Sequence, residues 1–332
     1  MKQAQYSEYG NPEQVIDLVE TPKKELTNGQ VRLELEASSI NPADLFVVQG
    51  TYPLRPKLPA TPGNEGIARV TEITHGITTV KVGDRVFIPF RSGVGAWSEE
   101  IIVPGKYLFP LPKDADPLQL AMAAVNPPTA YFMLTKFVKL QPGDWIIQNL
   151  ANSSVGRYVI CFAKTMGVKT INLVRRESAV EELKQFGGDI VLVDGPDVAK
   201  QIKNMVDTEK VKLAFDGVAG EATHRLGQCL AYGGTIVNYG AMSMEKCFLG
   251  VSGTIFKQLK LIGIWLGKWT QTAPMEEVEA LYKVTNDAVI KGTVKSAIDS
   301  IYPLQEIKQA IHKALQEQRN GKVLITGPAF QK

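Results

Sequence analysis

The chain has 332 residues, 44% of them apolar, which is more than one hydrophobic core usually organises and enough to fill two. Its 37 Lys and Arg against 34 Asp and Glu leave a net charge of +3 with no basic block interleaved with aromatics, so nucleic acid is excluded as the default partner. Three cysteines far apart in sequence, Cys161, Cys229 and Cys247, exclude a disulfide scaffold and point to a reducing compartment.

Residues 1–16 lack both the apolar core of a signal peptide and the Arg-rich character of a transit peptide, and no later apolar run reaches the ~20 residues of a membrane span. A cytoplasmic protein without membrane contact is expected. Up to about residue 117 the text is β-rich: residues 31–37 (Val-Arg-Leu-Glu-Leu-Glu-Ala) alternate apolar and polar, and residues 66–73 and 84–89 continue in that style between Pro/Gly turns. They predict a barrel-like module. It encloses a loop, residues 40–66, stiffened by Pro53, Pro56, Pro59 and Pro62. Tyr52 sits at the crest of that loop, where its ring is held and its hydroxyl can face a cleft; an aromatic simply packed on prolines is the alternative.

From about residue 118 to 260 helical and strand patterns alternate, the signature of a parallel doubly wound sheet. Its opening unit spans residues 142–176. A Pro-Gly-Asp turn leads to an apolar run at 145–150 suited to a buried strand, and Ser153 and Ser154 are N-cap candidates. Val155, Val159, Phe162 and Met166 then mark one face of a helix that Gly167 ends, and a second strand follows at 170–174. The turn between first strand and helix aims peptide N–H groups and the positive helix end at its guest, for which a pyrophosphate is expected. In place of the usual glycine-rich turn stand Asn149, Asn152, Ser153 and Ser154, with Gly156 as the close-approach glycine. At the tip of the second strand an NAD site would carry an acidic residue, whereas Arg175 and Arg176 suit a 2'-phosphate, so NADPH is the expected cofactor. Strand-turn-helix units also occur in folds that bind no dinucleotide, which is the alternative here. Strands at 189–193, 213–216 and 235–239, with helices near 179–186, 198–206 and 223–230, complete the sheet. Asp216, Gly217, Tyr239 and Gly240 at strand ends should line the crevice.

Residues 259–266 (Leu-Lys-Leu-Ile-Gly-Ile-Trp-Leu) close this pattern, and a helix with Met275, Val278, Leu281, Val284 and Val289 on one side follows. A strand at 300–304, a helix reaching toward Arg319 and a last strand at 322–326 return the chain to the β-rich module.

Several segments together carry a family resemblance over nearly the whole length. They are residues 40–44 (Ile-Asn-Pro-Ala-Asp), 49–52 (Gln-Gly-Thr-Tyr), 58–66 (Leu-Pro-Ala-Thr-Pro-Gly-Asn-Glu-Gly) and 126–131 (Asn-Pro-Pro-Thr-Ala-Tyr). With them go Gln148-Asn149, Asn152-Ser153, Val174-Arg175, 239–243 (Tyr-Gly-Ala-Met-Ser) and 263–266 (Gly-Ile-Trp-Leu). The chain resembles the zinc-free medium-chain dehydrogenase/reductases, which are quinone oxidoreductase-like, and within them the 2-enoyl thioester (trans-2-enoyl-CoA) reductase branch. The resemblance implies an α/β fold: a Rossmann-type doubly wound parallel-sheet domain at 118–264, plus a β-rich GroES-like catalytic domain made of 1–117 and 265–332. It implies NADPH-dependent reduction of the C=C bond of an enoyl-CoA or enoyl-ACP, with hydride to the β-carbon and a proton to the α-carbon. Tyr52 matches the family's proton-donor or positioning tyrosine, a role that a phenol of pKa about 10 can fill. Trp265 matches a position beside the acyl pocket, plain core packing being its alternative. Asn126 and Thr129 match residues near the nicotinamide and its ribose. Asn41, Asn149, Asn152, Ser153, Ser154, Val155, Gly156, Arg175, Arg176, Tyr239, Gly240 and Met242 complete the expected cofactor contacts.

The chain departs from the pattern at Ser154, where many relatives have Gly or Ala, and at Arg176, where they often have Asp. It has no Cys near position 43, Asn64 where zinc-dependent relatives place His, and no four-cysteine lobe; His75, His224 and His312 lack ligand-like neighbours, so no metal is expected. An edge strand near 260–264 could pair across a homodimer, as in relatives. Two other functions stay open at this point: an NADPH-dependent quinone or small enone oxidoreductase, and a non-catalytic NADPH-binding structural or RNA-binding protein.

Overall fold

A computed structural model describes residues 1–89, 93–316 and 319–331, and the chain divides into two compact units. The first comprises Met1–Val125, Asn286–Gly292 and Ser296–Lys332. Its amino-terminal elements are β1 (Lys2–Tyr6), α1 (Pro12–Val15), β2 (Ile16–Glu20), β3 (Gln30–Ser39), α2 (Pro42–Gln49) and β4 (Gly66–Ile73). They continue with β5 (Arg85–Phe87), β6 (Glu100–Pro104), β7 (Pro110–Leu111) and α3 (Pro117–Leu120). The carboxyl-terminal β14 (Ile298–Pro303), α11 (Ile307–Leu315) and β15 (Lys322–Thr326) complete it.

The main sheet of this unit runs β14-β15-β3-β4-β5-β7, with β6 also paired to β3. The alternation read in β3 is real: Val31, Leu33 and Leu35 enter the core. The opposite face, however, is not left to water. Arg32 pairs with Glu72 at 2.8 Å and with Glu100, while Glu36 accepts from Arg85 at 2.7 Å, so two polar residues of that face, Arg32 and Glu36, are buried as ion pairs. Residues 40–66, expected as a loop, contain α2; Pro42 at its first turn and Gly50 in the left-handed region just after it start and stop the helix. The expected helix toward Arg319 ends at Leu315, and residues 317 and 318 lie outside the described residues.

The second unit comprises Asn126–Thr285 and Thr293–Lys295. It contains α4 (Asn126–Lys136), β8 (Trp145–Gln148), α5 (Ser154–Thr165), β9 (Lys169–Val174), α6 (Val180–Phe186) and β10 (Ile190–Val193). Then come α7 (Val198–Met205), β11 (Val211–Asp216), α8 (Glu221–Cys229), β12 (Thr235–Asn238), β13 (Lys260–Gly263), α9 (Leu266–Thr272) and most of α10 (Met275–Ile290). All pairings in its sheet are parallel, in the order β10-β9-β8-β11-β12-β13. The chain enters in the middle at β8, winds outward to β10, then returns beside β8 and winds the other way. The carboxyl ends of β8 and β11 therefore form a switch point, where a doubly wound sheet opens a crevice. The units divide differently from the expected 117/118 and 264/265 boundaries. Residues 118–125 fall in the first unit because Ala124 and Val125 donate to Glu65, at 3.1 and 2.9 Å. Residues 266–285 fall in the second because Trp269 packs edge-on against Phe132 of α4, with centroids 4.6 Å apart, and Lys136 pairs with Glu277 at 2.6 Å.

Candidate functional site

In the second unit the switch point carries the candidate cofactor residues. After β8 the chain turns through Leu150, at a φ of 53°, and enters α5 with Ser153 as cap, its Oγ accepting from the N–H of Gly156 at 3.1 Å. A Cβ added to Gly156 would lie 2.3 Å from the carbonyl oxygen of Ala151, so this position must be glycine for the turn to close. Asn152, Ser154 and Val155 lie half-buried along the same turn. Below it, buried Arg157 pairs with Glu182 and stacks on Phe186, with its guanidinium carbon 5.0 Å from the ring centroid. This pair, which the sequence did not single out, ties the turn to α6, the helix that follows Arg175 and Arg176. Arg175 is exposed and Arg176 half-buried just past the end of β9.

Asn149 is almost completely buried, and its carboxamide is spent inside the sheet: Nδ2 donates to Asp216 at 2.7 Å and Oδ1 accepts from the N–H of Gly217 at 2.8 Å. It is a strut of the crevice. Past β12, a Cβ on Gly240 would come 2.8 Å from the carbonyl of Gly217, and Met242 donates its N–H to that same carbonyl at 3.1 Å with its side chain exposed. The Oη of Tyr239 is sealed from solvent beside the Ser153 hydroxyl of the turn. Burial raises its pKa, the Ser153 hydroxyl working against that and the Asp216 charge with it, so the phenol remains a donor. A capped helix start with no room for a Cβ, a buried phenol beside its capping serine and two arginines at the neighbouring strand tip fit a phosphorylated dinucleotide.

Asn126 and Thr129 lie one turn apart on α4 and are both buried. The helix is braced on α5 by the edge-on contact of Tyr131 with Phe162, at 5.2 Å. Trp265 precedes α9 and is 41% exposed, so it is not a core residue.

In the first unit Tyr52 is half-buried just beyond α2. The N–H groups of Thr51 and Tyr52 both donate to the carbonyl of Phe46, at 3.1 and 3.2 Å. On the far side Arg55 donates to the carbonyl of Gly50 at 2.8 Å, and Tyr9 donates its hydroxyl to the carbonyl of Pro56 at 2.7 Å. The loop is thus held by hydrogen bonds as well as by its prolines.

At the other end of α2, Asn41 is buried, and its Nδ2 donates to Ser39 at 3.1 Å and to Glu65 at 2.8 Å while its Oδ1 accepts from Lys322. Asp44 accepts the N–H groups of Asn41 and Asn64 at 2.7 and 2.8 Å. Burial pushes the Asp44 carboxyl up to about 7, the nearby Glu65 charge adding to this and the backbone donors and Lys322 opposing it. Burial pulls the Lys322 ammonium down to about 8 against the attraction of Glu65. This cluster of Asp44, Glu65 and Lys322 was not read from the sequence, because its members are far apart along the chain.

Among the described residues no group of three or more His, Cys, Asp or Glu lies close enough to hold a metal ion, and no helix is long and apolar enough to cross a membrane. The three cysteines are free thiols.

Residues 27–113 match the family model described as alcohol dehydrogenase GroES-like domain, and residues 154–283 the one described as zinc-binding dehydrogenase. The chain is 36% identical to an enoyl-[acyl-carrier-protein] reductase, mitochondrial, of Rattus norvegicus, over 97% of its own length and 87% of the relative's. Among solved structures it superposes on the Etr1p/NADP/crotonyl-CoA complex with a TM-score of 0.86 at 25% identity, covering 98% of this chain and 99% of that one. The mitochondrial 2-enoyl thioester reductase Etr1p/Etr2p heterodimer from Candida tropicalis superposes with a TM-score of 0.85 at 26% identity, with the same coverage. The expected cytoplasmic placement is corrected by these likenesses, since both the rat relative and the Candida enzyme are mitochondrial.

Proposed function

The chain belongs to the medium-chain dehydrogenase/reductase family, among the zinc-free enoyl thioester reductases, and we propose on that footing that it reduces the C=C bond of a 2-enoyl thioester, enoyl-CoA or enoyl-ACP, with NADPH. The observation that carries this reading is the full-length likeness to an enoyl reductase, with the switch-point residues supporting the choice of cofactor.

NADPH, when bound, supplies the hydride that goes to the β-carbon. The turn 152–156 at the start of α5 would hold the pyrophosphate through its N–H groups, and Arg175, with Arg176 beside it, the 2'-phosphate. Asn126 and Thr129 would flank the nicotinamide end, and Tyr239, Gly240 and Met242 the crevice wall. Asn41 acts here as a brace for α2, its amide being bound to Glu65, Ser39 and Lys322. Tyr52 gives the proton to the α-carbon or positions the carbonyl, since a phenol releases its proton as enolate charge develops beside it. The exposed ring of Trp265 offers an apolar wall to the acyl chain.

The functional molecule is a homodimer in this reading. Strand β13 ends its sheet with all four residues exposed, and exposed Val251, Ile255 and Phe256 precede it along the chain, an apolar edge that a second copy would cover. Light scattering should give twice the chain mass of 36.4 kDa, and a monomer at micromolar concentration would remove the dimer. For the reaction, purified protein should oxidise NADPH with crotonyl-CoA or a longer enoyl-CoA and leave the saturated thioester. A higher kcat/KM for benzoquinone than for every enoyl thioester tried would replace the reading with a quinone reductase.

A further inference from the structure

One buried carboxylate gathers the strand ends at the switch point. Asp216, the last residue of β11, is 0% exposed. Its Oδ1 accepts from Nδ2 of Asn149 at 2.7 Å and from the N–H groups of Val218 and Ala219, both at 3.0 Å. Its Oδ2 accepts from Oγ1 of Thr223 at 2.5 Å and from Nδ2 of Asn238 at 3.1 Å. No ion pair accompanies it among the described residues, so its burial is compensated by hydrogen bonds alone. Every one of these partners is a donor. A carboxamide of the same shape would turn an amino group toward at least one donor, so only a carboxylate satisfies the set.

These donors lead to the crevice. Asn149, just past β8, holds the N–H of Gly217 on its other end at 2.8 Å. Asn238, the last residue of β12, uses the same nitrogen to hold the carbonyl of Gly240 at 2.9 Å and that of Asp216 at 3.2 Å. Gly217 and Gly240 approach so closely that a Cβ on Gly240 would lie 2.8 Å from the Gly217 carbonyl. Asp216 thus sets the spacing of β8, β11 and β12 where their peptide groups turn toward the crevice.

We infer that Asp216 is a positioning residue for the dinucleotide: through Asn149 and Asn238 it fixes Gly217 and Gly240 at the width that admits the nicotinamide half of the cofactor. This rests on the NADPH reading above. It differs in consequence from the arginine pair, which distinguishes NADPH from NADH, because the floor of the crevice meets the part that the two cofactors share.

Isothermal titration of the purified chain with NADPH and with NADH tests it without turnover. Asp216→Asn should weaken both cofactors by the same factor, about tenfold or more, with the binding stoichiometry kept at one per chain. Thr223→Val removes a donor to the same carboxylate from the α8 side; it should lower the melting temperature yet leave both affinities within about twofold. Unchanged affinity with a reduced number of sites in Asp216→Asn, or equal weakening in Thr223→Val, would mean a merely structural carboxylate and overturn the inference. If Asp216→Asn does not fold, Asn238→Ala keeps the carboxylate and its other donors while cutting the link from Asp216 to Gly240, and must weaken both cofactors; unchanged binding there overturns it as well. A wild-type chain that binds no NADPH overturns the functional reading and this inference together, whereas wild-type binding with an unaffected Asp216→Asn overturns the inference alone.

Discussion

The carboxamide nitrogen of Asn41 donates to Oε1 of Glu65 at 2.8 Å, both side chains being closed off from solvent. Ser39 shares that oxygen at 2.6 Å, and the N–H groups of Ala124 and Val125 take the other at 3.1 and 2.9 Å. Glu65 therefore clamps the start of α2 to the segment just before Asn126. Glu65→Gln must aim its amino group at donors on one side or the other and leave them unmet, at about 1–3 kcal/mol. The expected result is a thermal midpoint lower by several degrees. An unchanged midpoint would show that the clamp carries no stability.

Tyr52→Phe tests the proton donor. It removes one hydroxyl from a loop held by Phe46, Arg55 and Tyr9, so fold and cofactor binding should persist. The expected loss is about 100-fold or more in kcat with an enoyl thioester, the range of a missing general acid, with NADPH affinity within about twofold. Full activity in the variant would move the role elsewhere.

Arg175→Ala should weaken NADPH by about 10- to 100-fold, the scale of lost charge-assisted hydrogen bonds, and NADH by far less. Arg176→Ala, at the half-buried neighbour, should have the smaller effect. Equal losses for the two cofactors in Arg175→Ala would contradict a 2'-phosphate contact.

The buried cluster of the first unit predicts a pH profile of stability. Asp44, folded, keeps its proton to about 7, while an unfolded aspartate releases it near ~4. Between these values the folded chain holds the extra proton, and the Asp44 contribution falls as pH rises. Lys322, folded, releases its proton at about 8, while an unfolded lysine keeps it to ~10.4, so across that window the unfolded chain holds the extra proton and stability rises with pH. The cluster thus favours the folded state least between about 7 and about 8. Melting temperatures across the range should show Asp44→Asn flattening the acid limb and Lys322→Met the alkaline limb. Profiles parallel to the wild type in both variants would refute the assignment.

What could be read along the chain was local. Periodicity located the strands of the second unit and its helices α5, α6, α7, α8 and α10 to within a few residues, because each buries one face of a regular element, while α4 and α9 were not read. The helix Pro42–Gln49 escaped notice because its residues are apolar almost all round and lie beside a proline-rich stretch, so no polar face marked the helical period. Trp265 illustrates the opposite limit. Its sequence setting allowed core packing, and only the placement of β13 at the sheet edge leaves it exposed.

The turn 149–156 belongs to both levels. Its residue types and its position before a helix made it a candidate phosphate cradle by sequence alone, since the capping Ser153 and the constrained Gly156 act within one turn. Arg175 and Arg176 could likewise be placed at a strand tip by counting. Tertiary structure decided which side chains are available to a ligand and which are spent on the scaffold. It turned Asn41 toward Glu65 and Asn149 toward Asp216, and it buried Asp44 beside Lys322. Asn41 and Lys322, which also meet there, are 281 residues apart, and hydrogen-bond satisfaction in a buried site depends on spatial neighbours that no local pattern encodes.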